Sequence, residues 1–324
     1  HWKDGRVPSA FPQCRAATRR YSSSDPNLQQ LPSKGDGAAL RQILVAPQDY
    51  VYVSLDWSGQ ELRLMAEASQ DANMLSCYVG ENKRDIHSMV AVQAAPFIWG
   101  RTTTYEDFAA MRKSQDEDEA AKAALLRSGA KTTNFATQYG AQAPKVAIQL
   151  KTDEATAQRF IDAKDATFPG INKWKARVEG EAESTGLAYT LLGARRHLAE
   201  SVSSPNSWIR SKAARQASNF WIQGSGAEMA KLTLGRMWAS GLFSGGARAS
   251  FVAPIHDEVV FLVHRDDAVQ VVRQCHSFMV AQYADMKVPL ASSLAMGRDF
   301  SCPVEVGEEF TDEQVQEAVG KLFE

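Results

Sequence analysis

The chain has 324 residues, of which 44% are hydrophobic and 23% are charged, a balance typical of a globular protein with a sizeable core. Its formal net charge of −2 gives no global sign of a polyanion partner, so a nucleic-acid surface would have to come from local clusters of Lys and Arg. The four cysteines lack the spacing of a zinc ribbon or a disulfide scaffold, and no apolar run approaches the roughly 20 residues that span a bilayer.

The start of the chain and its cysteines bear on compartment and completeness. The opening residues contain no signal-peptide core, and scattered cysteines fit a reducing cytosol, so we expect a cytoplasmic protein without a membrane partner. Because the chain begins with His1 rather than Met, we also expect a fragment or a processed product with domains missing upstream.

Two stretches are locally basic, although Arg-rich faces are common in any chain of this composition. The first lies near the start and the second is opposed only by Glu200; their members are Arg6, Arg15, Arg19 and Arg20, and Arg195, Arg196, Arg210, Lys212 and Arg215. Each is a candidate surface for a polyanion.

The first predicted elements are a loop, a strand and a helix. Residues 1–38 are rich in Pro, Ser, Gly and Arg and predict a positioning loop of turns and extended backbone. Strand formers run from Val51 to Leu55, and a helical pattern runs from Glu61 to Ala68. Asp56 follows the strand at its C-terminal tip, a common place for a catalytic carboxylate. An Asp that caps the following helix is an equally good interpretation.

Residues 85–150 are largely helical in pattern, with a helix predicted from about Ala120 to Tyr139. The acidic run at 116–119 is most simply a solvated helix face or a loop.

One face of that predicted helix carries Arg127, Lys131, Phe135 and Tyr139, which recur every four residues. Two cations followed by two aromatic rings suit a nucleoside triphosphate, because cations neutralise phosphates and rings contact a base and a sugar. An ordinary amphipathic helix with snorkelling cations is the alternative that this pattern alone leaves open.

The later elements are mostly helices. The patterns predict a helix over 152–182 that is broken at Pro169-Gly170, followed by a hairpin over 186–198. They also predict a helix over 211–238 that is interrupted around 223–226. The last predicted elements are a helix over 266–286 and a closing strand over 288–300.

A hairpin is predicted between these helices, from Phe251–Ile255 and Val259–Val263, with His256, Asp257 and Glu258 at its tip. An Asp-Glu pair is most often just part of a turn, but a metal ion can offset the repulsion of two half-buried carboxylates. Two strand-associated acidic sites with a cationic and aromatic helix between them are what phosphoryl transfer with paired Mg²⁺ ions requires.

Six motifs in the same order resemble the polymerase domain of family A DNA polymerases, the bacterial DNA polymerase I type. The resemblance covers about Arg20 to Asp299, and its motifs are SSSDPNLQQLP, SLDWSGQELR, DIH, RSGAKTTNFATQYG, QGSGAE and IHDEVV. It implies an α+β right-hand fold, with an antiparallel palm sheet and a helical fingers subdomain. The implied organisation is palm at 1–62, fingers with connecting helices at 63–235 and palm again at 236–324.

The resemblance implies template-directed DNA synthesis by two-metal transfer from a dNTP to a primer 3′-hydroxyl, with release of pyrophosphate. The implied metal ligands for two Mg²⁺ ions, which Mn²⁺ could replace, are Asp56, Asp257 and the Trp57 carbonyl, with Glu258 as an accessory acid. Implied nucleotide contacts are Arg127, Lys131, Phe135, Tyr139, His87 and the steric gate Glu61, with Lys131 also protonating the leaving pyrophosphate. Implied contacts to primer and template are Arg20, Asn27, Arg215, Asn219, Gln223 and His256.

Only 55 residues precede Asp56, too few for the thumb and exonuclease domains of the family, so we expect a separate chain or a missing upstream segment to supply them. Several positions depart from the family pattern, namely Ser128, Ala136, Gly59, Gln60 and Pro254, and the span from His87 to Arg127 is longer. These departures suggest a divergent, phage-type member acting in a host cytoplasm. They leave the role of the extra segment around 101–124 open.

Two other functions compete with DNA synthesis. A single-subunit RNA polymerase-like enzyme shares a similar palm and the Lys and Tyr of the helix motif, but Glu61, the HDE sequence and the SSSDPNLQ run favour DNA. A non-catalytic nucleic-acid-binding relic of a polymerase is disfavoured by the intact Asp56, Lys131 and Asp257.

Overall fold

The structure, a computed structural model, describes residues 5–33, 35–244 and 248–324. The parts of the predicted opening loop at 1–4 and 34 lie outside these ranges. The strands are β1 Tyr50–Trp57, β2 Leu187–Tyr189, β3 Arg195–His197, β4 Ala249–Ile255, β5 Glu258–His264, β6 Ser292–Gly297 and β7 Val304–Gly307.

The α-helices differ widely in length, from single turns to a helix of 33 residues. They are α1 Ala39–Gln42, α2 Gln60–Ser69, α3 Ala72–Leu75, α4 Ile86–Trp99, α5 Tyr105–Met111, α6 Glu117–Gln138, α7 Ala143–Leu150, α8 Glu154–Thr167, α9 Pro169–Thr185, α10 Ala199–Val202, α11 Ser207–Ala239, α12 Ala268–Met279 and α13 Asp312–Lys321. Short 3₁₀ turns occur at Leu28–Gln30, Asp36–Ala38 and Arg265–Asp267. Within the ranges that the structure covers, no helix is both long and apolar enough to cross a membrane.

The chain divides into two compact units, one made of His1–Arg63 with Gln223–Glu324 and the other of Leu64–Ile222. The first unit contains a five-stranded sheet in the order β4-β5-β1-β6-β7, and every neighbouring pair is antiparallel. The second unit is mainly helical and carries the small β2-β3 hairpin.

The central strand β1 separates two cores because its side chains alternate between the faces of the sheet. On one face Val51, Val53, Leu55 and Trp57 are buried in a cluster with residues of α12 and α13. The Trp57 indole donates a hydrogen bond to the carbonyl of Met279 at 2.7 Å, which ties the end of α12 to the end of β1.

The opposite face of β1 carries Tyr52, Ser54 and Asp56. Tyr52 packs into a smaller cluster with Ala253, Ile255, Val260 and Phe300, together with Leu28 from the opening segment. Asp56 therefore lies on the face that the opening segment covers, at the end of the strand.

In the second unit, α4 packs against α6 and α8, and small residues let the helices approach closely. Ala91, Ala94 and Ala95 of α4 and Ala130 of α6 are fully buried. Gly129 of α6 lies against the ring of Phe160 from α8, where an added Cβ would be 2.7 Å from Cζ.

The predicted α+β class, with an antiparallel sheet and a helical part, is confirmed. The hairpins at 186–198 and 251–263 and the helix break at Pro169 also occur as predicted.

Two predicted helices are wrong in extent. The helix over 211–238 has no interruption, because α11 runs through Gly224 and Gly226, which are buried along with Ser225. A helical glycine costs only about 1 kcal/mol relative to Ala and keeps its backbone hydrogen bonds. The helix predicted over 266–286 begins at Ala268 and ends at Met279, whose carbonyl accepts a hydrogen bond from the Trp57 indole. Further along, the buried Tyr283 hydroxyl donates to the Met229 carbonyl at 3.2 Å.

The sequence patterns did not predict β7 and α13, which lie beyond the predicted closing strand. The helix predicted from about Ala120 to Tyr139 occurs as α6, with Tyr139 as its C-cap residue.

Two helical glycines of the second unit test this packing. We expect Gly129→Ala to lower the free energy of unfolding by up to about 2 kcal/mol, because overpacking Phe160 costs about 1–3 kcal/mol and exceeds the gain in helix propensity. The matched control Gly180→Ala in α9 has no atom within 4 Å of the new Cβ and should stabilise by about 0.5–1 kcal/mol. Urea unfolding measures both, and equal effects of the two variants would contradict the packing described here.

Candidate active site

In the first unit, three carboxylates meet at the end of β1. Asp56 is the penultimate residue of the strand and pairs in register with Glu258, the first residue of β5. The backbone N–H of Trp57 donates to the carbonyl of Asp257 at 3.1 Å, which holds the β4-β5 turn against β1. The sheet thereby brings Asp56 together with Asp257 and Glu258, which lie 201 and 202 positions later in the chain.

The turn that carries Asp257 has an unusual backbone. His256 and Asp257 connect β4 to β5 as a two-residue hairpin, with Ile255 paired to Glu258. His256 has φ +57°, a conformation that favours glycine in such turns and costs a residue with a Cβ about 1–2 kcal/mol. The ladders on both sides of β5 hold this conformation, so the exposed His256 and the adjacent Asp257 are fixed by the sheet.

Burial and neighbouring charges raise the pKa of two of these carboxyl groups. The pKa of Asp56 is raised to about 8, chiefly by burial and to a smaller extent by the charges of Asp257 and Glu258. Burial also raises the pKa of Glu258, opposed by the Ser54 hydroxyl, which donates to its Oε1 at 2.5 Å. A cation placed among these groups would relieve both the repulsion and the unfavourable ionisation of Asp56.

The donor set at the end of β1 fits Mg²⁺ in type but does not enclose it. Among the described residues, no group of three or more His, Cys, Asp or Glu side chains is arranged to hold a metal ion. Mg²⁺ typically uses one or two carboxylates and completes its octahedron with waters and substrate phosphates. Hard oxygen ligands from Asp56 and Asp257 match that mode, and a cation would offset the cost of ionising Asp56, whose pKa is raised.

Also in the first unit, two residues with separate predicted roles contact each other. Glu61, in the first turn of α2, is largely buried, and its carboxylate accepts a hydrogen bond from the guanidinium of Arg20. The pair joins the opening segment to α2. Asn27 instead accepts a hydrogen bond from the backbone N–H of Gln29 at 3.1 Å and caps a 3₁₀ turn.

In the second unit, Arg127 of α6 forms a bidentate pair with Asp85, the N-cap residue of α4. Nε and Nη2 of Arg127 donate to Oδ2 and Oδ1 of Asp85, both at 2.7 Å. Burial alone would raise the pKa of Asp85, but hydrogen bonds from Arg127 and Ser88 outweigh it and hold this pKa well below its usual range. The same hydrogen bonds raise the pKa of Arg127, whereas Lys131, one turn later, is exposed.

The segment around 101–124, whose role the sequence left open, supports Asp85. The hydroxyl of Tyr105, the first residue of α5, accepts a hydrogen bond from the Asp85 backbone N–H at 2.7 Å. Arg112, after the same helix, is 3.6 Å from Asp85 Oδ2 and donates to Ser88 Oγ at 3.2 Å. Through Asp85, this segment fixes the position of Arg127.

His87 is buried next to the same helix face. Burial lowers its pKa to about 4, and the positive charges of Arg127 and Lys131 contribute while Asp85 opposes them. The Nδ1 atom lies 3.0 Å from the Nδ2 atom of Asn134. The ring is tilted against Phe135 with centroids 5.7 Å apart. His87 is therefore a neutral imidazole at pH 7 with one N–H donor.

The remaining predicted contacts lie where α6 ends and on α11. Tyr139 is 49% exposed, and the side chain of Arg215 packs over the following Gly140, where an added Cβ would be 2.9 Å from Arg215 Cδ. Arg215 and Asn219 lie one turn apart on α11, with Gln223 on the turn after them.

Sequence reasoning missed the residues that hold the predicted ones in place, namely Asp85, Tyr105, Arg112, Asn134 and Ser54. Asp85 had a visible signal, because it lies two residues before His87 in the DIH motif, and Ser54 lies two residues before Asp56 on the same strand face. Tyr105, Arg112 and Asn134 reach their partners only through helix packing, for which the sequence carries no local sign.

Comparison with known proteins identifies the family of the chain. The profile of DNA polymerase family A matches residues 1–302, and the chain belongs to this family. The predicted family is confirmed.

Individual similar proteins are DNA polymerase I enzymes. The chain is 31% identical to the thermostable DNA polymerase I of Thermus aquaticus, over 93% of this chain and 33% of the relative. It is 32% identical to DNA polymerase I of Pseudomonas aeruginosa, over 92% of this chain and 30% of the relative. The chain thus spans about a third of the length of these relatives.

A solved structure is similar throughout the chain. It is the POL domain of Pol1 from M. smegmatis in complex with DNA primer-template and dNTP, with a TM-score of 0.75 and 29% identity. The match covers 93% of this chain and 49% of that one. The predicted polymerase fold is confirmed.

The Asp85–Arg127 pair gives a pH-dependent prediction. A carboxyl whose folded-state pKa is lowered adds stability above its unfolded pKa of about 4 and loses it as the pH falls toward the folded value. We expect Asp85→Asn to lower the free energy of unfolding at pH 7 by about 1–3 kcal/mol, since Arg127 loses a charge-assisted partner.

The difference between this variant and the unchanged protein should shrink below about pH 4. Denaturant unfolding at pH 7 and at about pH 3 measures it, with the exposed Glu183→Gln of α9 as control. A difference independent of pH would contradict the pairing.

Proposed function

We propose that this chain carries out template-directed DNA synthesis, joining a dNTP to a primer 3′-hydroxyl with release of pyrophosphate. The observation that carries the proposal is the pair Asp56 and Asp257, held together at the end of β1 by the Trp57–Asp257 backbone hydrogen bond. Family membership supports it, as does the similar structure's description as a complex with DNA primer-template and dNTP. In this proposal the first unit is the palm and the second holds the fingers.

Asp56, Asp257 and the Trp57 carbonyl would hold two Mg²⁺ ions, or Mn²⁺ in their place. When bound, such ions lower the pKa of an attacking hydroxyl and stabilise the charge of a leaving pyrophosphate. Asp56 would bind the ions as a carboxylate, and the nearby positive charge would offset the burial that raises its pKa. Glu258 stays hydrogen-bonded to Ser54 and keeps the turn and β1 in register as an accessory acid.

The face of α6 would bind the triphosphate. Arg127 arrives oriented by Asp85, and the exposed Lys131 is free to contact phosphate oxygens and to donate a proton to the leaving pyrophosphate. His87, whose pKa is lowered to about 4, adds one N–H hydrogen-bond donor without a further charge. Phe135 lies one turn beyond Lys131, where its ring can contact the sugar, and Tyr139 would lie near the templating base.

The remaining residues would recognise the sugar and the duplex. The Glu61 carboxylate, fixed by Arg20, occupies space that a ribose 2′-hydroxyl would need, which favours deoxynucleotides. Purine N3 and pyrimidine O2 acceptors occur in the minor groove of every correct pair, so Arg and Gln side chains check geometry without reading sequence. The contacts proposed for primer and template are Arg20, Asn27, Arg215, Asn219, Gln223 and His256.

Removal of one proposed metal ligand tests the activity. With primed template, dNTPs and Mg²⁺, the unchanged chain should extend the primer, and Asp257→Asn should slow extension by about a thousandfold or more. The exposed Asp285→Asn in the same unit removes an equal charge and should extend normally. Extension that survives Asp257→Asn would refute the metal assignment. Extension only with rNTPs would instead favour an RNA polymerase-like enzyme.

The sugar gate can be tested by separating bulk from charge. Glu61→Ala removes the side chain, so ribonucleotide incorporation relative to deoxynucleotide should rise by about 10- to 200-fold. Glu61→Gln keeps the volume and loses only the charge facing Arg20, so selectivity should stay close to that of the unchanged protein. Competition between rNTP and dNTP in single-nucleotide addition measures both. Equal selectivity in Glu61→Ala and the unchanged chain would show that another residue sets the preference.

A further inference from the structure

The N-terminal turns of α11 expose large apolar groups to solvent. Trp208 is 63% exposed and Ile209 is 36% exposed, and neighbouring residues from Pro205 to Lys212 are exposed as well. Burial of this indole against the protein would stabilise the fold, yet none of the packing described for the second unit uses it. An exposed tryptophan on a protruding helix end is typical of a contact surface.

Trp208 lies on the same helix face as residues proposed to contact DNA. At about 100° per residue, Lys212, Arg215 and Asn219 fall within about 40° of Trp208 around the axis of α11. The opposite side of the helix is buried, at Ala213, Ala214, Ala217, Ser218 and Phe220. We name the four outward residues Trp208, Lys212, Arg215 and Asn219 the α11 strip. The strip is about 16 Å long, the length of a few nucleotides.

The α11 strip carries two cations, of which Arg215 lines a pocket together with Asp165 and Glu179. From Ser201 to Ala227 the sequence contains no Asp or Glu, while Arg210, Lys212 and Arg215 lie within it. The ammonium of Lys212 lies 5.2 Å from the centroid of the Trp208 ring. This cation–π contact holds the indole and the charge together on one turn of the helix.

An exposed aromatic plane with cations on the same helix face has the chemistry of a single-stranded nucleic-acid site. Bases stack on aromatic rings whatever their sequence, and Lys or Arg neutralises the phosphates between them. A paired duplex offers no free base face to an indole, so the strip favours unpaired nucleotides. A second copy of this chain would bring like charges together at the same strip.

We propose that the α11 strip binds the unpaired template strand ahead of the primer–template junction, with Trp208 stacking on a template base and Lys212 neutralising its phosphate. The proposal rests on the proposed function for Arg215 and Asn219, which lie on the same strip. It extends that contact by two helical turns to a surface for the single strand.

Binding of primed duplexes with two overhang lengths tests the proposal. Fluorescence anisotropy gives Kd for a duplex with a single-nucleotide template overhang and for one with an overhang of about ten nucleotides, long enough to cover the strip. The unchanged protein should prefer the long overhang. Trp208→Ala should reduce that preference by about 5- to 100-fold, which corresponds to the loss of one base stack.

Three further variants keep the test falsifiable. Trp208→Phe retains a stacking plane and should keep most of the preference. Trp238→Ala removes an indole of similar exposure, 60%, near the other end of α11, and should leave the preference intact. Lys212→Ala should weaken binding to the long overhang and reduce the salt slope of its log Kd by about one phosphate contact. Circular dichroism confirms that each variant is folded.

The outcomes distinguish this proposal from the activity. Equal preference in Trp208→Ala and the unchanged protein would overturn the inference, even if Asp257→Asn abolishes extension as expected. A change in sedimentation of Trp208→Ala without a change in overhang preference would also overturn it, because it would assign Trp208 to contacts between copies. Trp208-dependent preference in a chain that shows no extension would leave the strip in place and refute the proposed function.

Discussion

Burial of carboxylates close to one another at the end of β1 is the constraint on which the first unit depends. Burial raises the pKa of Asp56 and of Glu258, and the charge of the neighbouring Asp257 adds to both shifts. The structure tolerates this because β1 is the central strand, hydrogen-bonded on both sides and packed on both faces. The Trp57 indole and backbone bonds fasten the same strand end to α12 and to the turn. Strain at His256 is held in the same way.

Two arginines of the predicted site are paired with carboxylates in the folded chain. Arg20 is paired with Glu61 in the first unit, and Arg127 is paired with Asp85 in the second. Each pair orders a guanidinium side chain when the protein folds. Less side-chain entropy would then be lost if that group bound a phosphate or a duplex. The α5 segment strengthens the second pair through Tyr105 and Arg112, which both contact Asp85.

Much of the fold was predictable from local patterns. Strand β1, both hairpins, the break at Pro169 and the helix around Lys131 followed from periodicity and turn residues, which act within a few positions. The failures came where tertiary contacts outweigh local preference. Helix α11 continues through the buried Gly224 and Gly226, and α12 ends at Met279, whose carbonyl accepts a hydrogen bond from the Trp57 indole.

By itself, the sequence determined the chemical groups and their order: acid at Asp56, cations at Arg127 and Lys131, acid at Asp257, and the motifs that place the chain in its family. Residue types and short spacings are enough for that, because a motif is local. Only the tertiary structure decided which groups meet. The β1-β5 ladder places Asp56 beside residues about 200 positions away. Helix packing brings Arg127 into contact with Asp85, and His87 into contact with Asn134. Helix α11 places Trp208 and Arg215 on one face. Such pairings depend on strand register and on the side of a helix that is buried, and neither is written in any single stretch of the chain.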